Sequence, residues 1–278
     1  MTEHVLGSEV PELQLTGVSR RYGDNLAVRS IDAAIPAHKI SVIVGPSGCG
    51  KSTLLRMISG LDTPTDGEVR FEGAPVRGVP EGLAMVFQDY SRSLYPWMRV
   101  DKNVAFPIRR LPAAERAERV RFAIEEVGLK GKESLYPWQM SGGMQQRVAI
   151  ARALASHPRL LLMDEPFASV DAQTRADLED LVMRIQAELG ITVLVVTHDI
   201  DESVYLADRI FVLSTPPSVV AEVIDVDLPR PRDHVSTKTE PEFVRIRGHV
   251  TSLLRRPDAD AEGAHGSLVA STAAGEIA

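Results

Sequence analysis

Three short stretches of this 278-residue chain carry residue types suited to phosphate chemistry. The first is "GPSGCGKST", between the apolar run "KISVIV" and the helical pattern "STLLRMISG". A loop that wraps phosphates needs glycines so that consecutive backbone N–H groups point inward, and a helix start that favours negative charge. It also needs a lysine for the outer phosphates and a hydroxyl for magnesium. Gly45, Pro46, Ser47, Gly48, Cys49 and Gly50 supply the loop, and the backbone of Gly48 through Thr53 is the expected cradle. Lys51 is assigned to the β- and γ-phosphates and the Ser52 hydroxyl to the metal. Cys49 reads as a small residue filling the loop, in preference to a thiol activated at a helix start. The second stretch, "RLLLMDEP", is an apolar strand ending in two adjacent carboxylates, Asp164 and Glu165, where the ligand sites of parallel sheets collect. Asp164 is suited to holding magnesium through water and Glu165 to polarising an attacking water. The third, "VLVVTHD", places His198 directly after a strand, where a lone histidine is more often structural and takes its meaning from its neighbours.

The elements around these stretches read as alternating strands and helices. "ELQLTGVS" and "LAVRSIDAAI" show the period of two expected of strands, and "KISVIVG" reads as a buried strand entering the glycine loop. From about Leu160 the order is strand, a helix from Asp171 to Leu189, strand "ITVLVVT", a helix near Asp201 to Ala207, and strand "RIFVLS". That alternation predicts a largely parallel sheet covered by helices. Between the parts, from about residue 99 to 155, long helical patterns replace strand signal. Ala117, Val120, Ile124 and Val127 recur at helical spacing, with Pro112 placed for a first turn and Gly128 near the end. The reading is an inserted helical lobe. After Pro229 the composition becomes charged and proline-containing; residues 234–256 are expected to form a helical extension and residues 257–278 a disordered tail.

Composition narrows the function. A net charge of −7 disfavours a protein that lives on nucleic-acid phosphates. The single cysteine, Cys49, excludes an intrachain disulfide and fits a reducing compartment. No apolar run approaches the roughly 18 residues of a spanning helix, so the chain reads as soluble, with any membrane association made through a partner.

Taken together, the phosphate loop, Gln88 in "VFQD", "MSGGMQQRVAIARAL", "LLLMDEP", "SVDA" and "VTHD" resemble the nucleotide-binding subunit of an ATP-binding cassette (ABC) transporter, over roughly Leu13 to Asp233. The resemblance implies an α/β fold: a P-loop NTPase cassette with a RecA-like parallel core, an N-terminal antiparallel β part and the helical lobe, together spanning residues 11–233. It assigns Tyr22 to stacking on adenine, Gln88 to magnesium and to sensing the membrane partner, Glu165 to the catalytic base and His198 to the γ-phosphate. Ser141, Gly142, Gly143 and Met144 open a helix and form an anion site; the resemblance makes that anion the γ-phosphate of ATP bound to the opposite subunit, with Asp171 bridging the pair. A homodimer, ATP and Mg2+, an integral membrane permease and, indirectly, an external solute-binding protein are implied, as is a place at the cytoplasmic face of the inner membrane. Met140 and Met144 stand where leucine and glutamine are usual in the family, and "SVDA" replaces a small-Leu-Asp run.

"GLAMVFQDYSRSLYPWMRVDKNVAF", "YPWQMSGGMQQRVA" and "DLPRPRD" resemble the bacterial branch that imports nitrate, taurine and other sulfonates, bicarbonate or thiamine-pyrimidine precursors. An exporter subunit is the alternative within transport, because hydrolysis motifs do not encode direction. A soluble ABC ATPase of translation or repair is disfavoured by the single phosphate loop, and a non-hydrolysing subunit by intact Lys51, Glu165 and His198. The pentapeptide "SLYPW" occurs twice, and its flanks share nothing at a constant offset, so it is no repeat. Tyr95, Pro96 and Trp97 of the first copy are the expected permease-docking surface; Tyr136 and Trp138 of the second are expected to pack at the base of the Ser141 helix.

Overall fold

A computed structural model describes residues 12–89 and 93–255. The strands are β1 (Leu13–Tyr22), β2 (Asn25–Ile35), β3 (Ile40–Val44), β4 (Asp66–Phe71), β5 (Ala74–Pro75), β6 (Leu83–Val86), β7 (Leu160–Asp164), β8 (Thr192–Thr197), β9 (Arg209–Leu213) and β10 (Ser218–Asp225). The helices are α1 (Lys51–Ile58), α2 (Val100–Ala105), α3 (Ala113–Glu126), α4 (Gly142–Leu154), α5 (Ala172–Leu189), α6 (Ile200–Leu206), α7 (Ser236–Thr239) and α8 (Pro241–Arg255). The ten strands form one sheet in the order β5-β4-β1-β2-β10-β9-β3-β8-β7-β6. From β9 to β6 every neighbouring pair is parallel.

Strands β3, β7 and β8 are buried along their whole length, as expected of parallel strands covered on both faces. Alternation divides their side chains between two cores. Val193 and Val195 of β8 face the helices of the lobe together with α5, α6 and α8, whereas Leu194 and Val196 face α1 and the N-terminal strands. A one-residue slip in register would exchange these sets, so packing on both faces holds the strands level.

The expected antiparallel part forms, with β1 and β2 where the sequence places them and β4 and β5 added beside β1, and it is continuous with the parallel core. The join is β10, antiparallel to β9 and parallel to β2, which the sequence did not signal. Its run "SVVAEVID" is buried at Ser218 and Ile224 and otherwise half-exposed or exposed, and it mixes Val and Ile with Ala, Glu and Asp, so no clean period shows. Strands β4 and β6 escaped for a related reason, being short, with a turn at Gly73 after β4 and one at Gly82 before β6.

The expected helices form close to their expected bounds. Pro112 is the N-cap of α3, Ile124 and Val127 are buried, and Gly128 ends the helix at φ 71°. Asp171 caps α5 by accepting the Thr174 N–H at 3.0 Å, and Gly190 terminates it at φ 61°. The extension expected over residues 234–256 contains α7 and α8; Arg256 and the tail expected over 257–278 lie outside the described residues. Phe243, Ile246 and Val250 are fully buried on one face of α8, in the same core as Val204 and Tyr205 of α6. Among the described residues no helix is long and apolar enough to cross a membrane.

Because Phe243 is fully buried, Phe243→Ala is expected to lower unfolding stability by about 3–5 kcal/mol in urea denaturation. A loss below about 1 kcal/mol would show that α8 stands outside the cooperative core.

Candidate functional site

Four adjacent parallel strands end level and bring the proposed chemistry to one edge. In register, Val86 lies opposite Met163, Asp164 opposite Val196, and Val44 opposite Thr197. Gln88, Glu165, His198 and the glycine loop each follow within one or two residues of those ends. Gln88 Nε2 donates to Glu165 Oε2 at 3.0 Å, and His198 Nδ1 lies 3.2 Å from the same oxygen. Glu165 has φ 42°, a left-handed backbone rare for a side-chain-bearing residue, and its N–H donates to Val196 O at 2.8 Å. That turn separates the directions of the two adjacent carboxylates. Glu165 joins Gln88 and His198, while Asp164 Oδ1 accepts from the Ser52 hydroxyl at 3.2 Å. Burial pushes the Asp164 carboxyl above its ordinary range, with the Ser52 hydrogen bond opposing.

The phosphate loop runs from the end of β3 into α1, whose N-cap Gly50 is left-handed at φ 95° and lends no side-chain cap. Lys51 is 5% exposed, and its ammonium donates to Gly45 O at 2.8 Å and Pro46 O at 2.9 Å, so the charge is folded back onto the loop. A Cβ on Gly45 would sit 2.8 Å from Cys49 Sγ, closer than side chains tolerate. Cys49 is fully buried beneath the loop, and burial pushes its thiol pKa up. The loop-filling reading of Cys49 therefore holds, and any contribution to a ligand is left to its backbone.

Tyr22 both flanks a turn and presents a ring. It pairs with Asn25 across the Gly23–Asp24 turn, and its hydroxyl donates to Asp62 Oδ2 at 2.9 Å. The Arg20 guanidinium lies 4.6 Å from the ring centroid and also pairs with Asp62 at 2.7 Å, yet the tyrosine stays 44% exposed.

A second exposed edge gathers the starts of α4 and α5. Ser141 caps α4 by accepting the Met144 N–H at 3.3 Å. Gly143 approaches α5 so closely that a Cβ would meet Thr174 Cγ2 at 2.3 Å, which sets the first turn of α4 against the first turn of α5 that Asp171 caps. Gln146, buried one turn into α4, donates to Pro166 O at 2.7 Å and ties this edge to the turn after Glu165. Behind His198, Arg175 of α5 pairs with Asp199 at 3.3 Å. Glu202 is buried there, and burial followed by the neighbouring Glu179 raises its carboxyl well above the ordinary range.

Next to Gln88 opens a groove of about 610 Å³ lined by Met85, Phe87, Tyr95, Phe106 and Arg152, among others. Of the three expected docking residues only Tyr95 lines it; its ring packs 4.5 Å from Phe106. Trp97 stands 70% exposed beside it, 5.5 Å from Tyr95, and Pro96 lies in the turn between them. The turn is held by Asn103, fully buried, which accepts the Tyr95 N–H at 2.8 Å and donates to the carbonyls of Tyr95 and Met98.

A family model described as ABC transporter matches residues 28–168. The chain belongs to the ABC transporter ATP-binding family. An aliphatic sulfonates import ATP-binding protein of Xanthomonas axonopodis pv. citri is 46% identical over 224 residues, 80% of this chain and 88% of that protein. A nitrate import ATP-binding protein of a Synechocystis species is 40% identical over 254 residues, 89% of this chain and 94% of that one. A solved dimeric ATP-binding cassette in a post-hydrolysis state, bound to ADP and Pi, is 31% identical with a TM-score of 0.67, covering 77% of this chain and 98% of its own.

Within this ABC cassette the sequence reading missed Asn103, Gln146, Phe87 and the Arg175–Asp199 pair. A polar residue in a helix of the lobe gives no sign of burial from sequence; Phe87, next to Gln88, was the one accessible hint. The second pentapeptide overturns its expectation. Trp138 is 71% exposed and does not pack into the core, because buried Pro137 and Met140 anchor the turn instead.

With Cys49 fully buried and the chain's one cysteine, a thiol reagent is expected to leave the native protein unlabelled and to label one site in denaturant. Rapid native labelling would place the thiol in the mouth of the loop.

Proposed function

We propose that this chain is the ATP-hydrolysing subunit of a bacterial ABC importer for nitrate, a sulfonate such as taurine, or a similar small solute. The observation that supports hydrolysis best is the meeting of Gln88 and His198 on Glu165 Oε2 beside the Ser52–Asp164 pair, at the mouth of a loop whose lysine is buried. The solute class rests on the likeness to sulfonate and nitrate import ATP-binding proteins.

In this reading Lys51 exchanges the two loop carbonyls for β- and γ-phosphate oxygens, while the backbone N–H groups of Gly48 to Thr53 surround the remaining charge. Tyr22 stacks on the base. Glu165 orients a water and takes its proton as the water oxygen bonds to the γ-phosphorus; the bond to the β,γ-bridging oxygen breaks and ADP leaves with that electron pair. His198 contacts the γ-phosphate and holds the Glu165 carboxylate in place. Ser52, Gln88 and, through water, Asp164 fit a magnesium ion, since they offer oxygen donors only, and hard cations are held by a few such ligands plus phosphates. When bound, that ion neutralises charge on the phosphate oxygens.

Ser141, Gly142, Gly143 and Met144 present a helix start to the γ-phosphate held by a second copy, with Asp171 between the copies. Two chains arranged head-to-tail thus complete two sites. Phosphate loss weakens the pair, and the groove beside Gln88 passes opening and closing to an integral permease. The subunit is then peripheral, at the cytoplasmic face of the inner membrane, with the external solute-binding protein acting through the permease.

Lys51→Ala is expected to weaken binding of a fluorescent ATP analogue by about tenfold or more. Glu165→Gln should bind ATP with near wild-type affinity while hydrolysis falls by about 10²–10⁴-fold and a nucleotide-loaded dimer accumulates. Wild-type turnover in Glu165→Gln would remove Glu165 from the role of base.

A further inference from the structure

A buried polar atom without a partner is destabilising, so each one calls for a physical reason. Among the described residues Arg175 Nε, Glu179 Oε2 and Glu202 Oε1 are buried and make no hydrogen bond, and all three lie on α5 and α6, two helices in contact. Arg175 and Glu202 also line a small pocket of about 60 Å³ whose other walls include Glu165, His198 and Asp199. The pocket thus joins the pair proposed to act on water to a buried acid behind it.

Glu202 is held in place from its own turn. It is 5% exposed, its backbone N–H donates to Asp199 Oδ1 at 3.1 Å, and the Asp199 N–H donates to Thr197 Oγ1 at 3.0 Å. Arg175 is anchored by donating from Nη1 to Asp199 Oδ2 at 3.3 Å, which leaves its Nε–H unmatched. The groups that face Glu202 are Glu179 and Arg175 from α5 and Thr197 and Asp199 ahead of α6, with Glu165 and His198 across the pocket. His234 and Lys238 lie beyond Glu179. Burial first, then the charges of Glu179 and Asp199, push the Glu202 carboxyl well above its ordinary range, with Thr197 and Arg175 opposing. At neutral pH Glu202 is therefore a neutral acid.

A neutral carboxyl offers an O–H and Arg175 Nε an N–H, while Glu165 and Asp199 offer carboxylate oxygens. One water, accepting two hydrogen bonds and donating two, complements that set, and the pocket has room for it. An apolar occupant would leave all four groups unmatched, and an anion would meet two carboxylates.

We propose that Glu202 and Arg175 hold a water in this pocket that braces Glu165 and His198 from behind, which makes Glu202 a positioning residue for hydrolysis. The inference rests on the hydrolytic reading above. Ionisation of Glu202 would withdraw its O–H from the water and add a charge beside those of Glu165 and Asp199, so the brace would loosen. Hydrolysis then falls as pH rises through the raised pKa, while nucleotide affinity, set at the phosphate loop, stays constant.

The test compares the full wild-type chain with Glu202→Gln, which keeps a donor of the same shape, and Glu202→Leu, which keeps only the bulk. At neutral pH Glu202→Gln is expected to hydrolyse ATP within about twofold of wild type, whereas Glu202→Leu loses about tenfold or more in kcat with unchanged binding of a fluorescent ATP analogue. From about pH 7 to about pH 9 wild-type kcat should fall and that of Glu202→Gln should stay level. The infrared difference spectrum between wild type and Glu202→Gln at neutral pH should contain a protonated carboxyl band, which does not depend on turnover. Wild-type kcat in Glu202→Leu, an alkaline fall that persists in Glu202→Gln, or a difference spectrum of carboxylate bands alone would each overturn the proposal. A wild-type chain that hydrolyses no ATP at any pH, yet shows the protonated band, would overturn the hydrolytic reading and the positioning role with it.

Discussion

The backbone hydrogen bonds that keep β6, β7, β8 and β3 level set the spacing of the residues gathered at the candidate site. Gln88, the adjacent Asp164 and Glu165, His198 and Lys51 come from four strand ends far apart in sequence, and no covalent link between those ends brings them together. Their meeting depends on register, which in turn depends on burying Val193 and Val195 on one face and Leu194 and Val196 on the other. A polar side chain in the middle of β8 would therefore disturb the site without touching it.

The same edge carries costs that the core has to offset. Asp164 is a buried carboxylate, Lys51 a buried ammonium and Glu165 a non-glycine residue in the left-handed region. Each is partly relieved within the chain: Asp164 by Ser52, Lys51 by the carbonyls of Gly45 and Pro46, and Glu165 by Gln88 and His198. These contacts hold the side chains in one arrangement within the chain itself. Lobe and core are tied by the same logic. Gln146 bonds the turn after Glu165, and Gly143 allows α4 to lie against α5, so the starts of α4 and α5 are joined to the strand-end edge by direct contacts.

Residues that act through their immediate neighbours were readable in the sequence. The loop from Gly45 to Thr53, the carboxylates after "LLLM" and the caps Ser141 and Asp171 all lie where local spacing placed them. Features that depend on distant packing were not. Strand β10 has no clean period because one of its faces is half solvated, and Asn103 gives no sign that it is buried beneath the 95–99 turn. The two copies of "SLYPW" show the limit most directly. Both tryptophans are well exposed, but the equivalent tyrosines part: Tyr95 lines a groove against Phe106, whereas Tyr136 stacks on Trp138, because Asn103 fixes the first turn and a Gln139 side chain the second.

The proposed composite site takes its phosphate loop from one chain and its α4 start from another. Mixing two purified inactive variants, Ser141→Arg and Lys51→Ala, tests this most directly, with ATP hydrolysis as the readout. Composite sites predict that turnover reappears on mixing, in proportion to the mixed pairs, because each such pair holds one intact loop facing one intact Ser141. A mixture that stays as inactive as its components, although the two variants associate, would contradict the account.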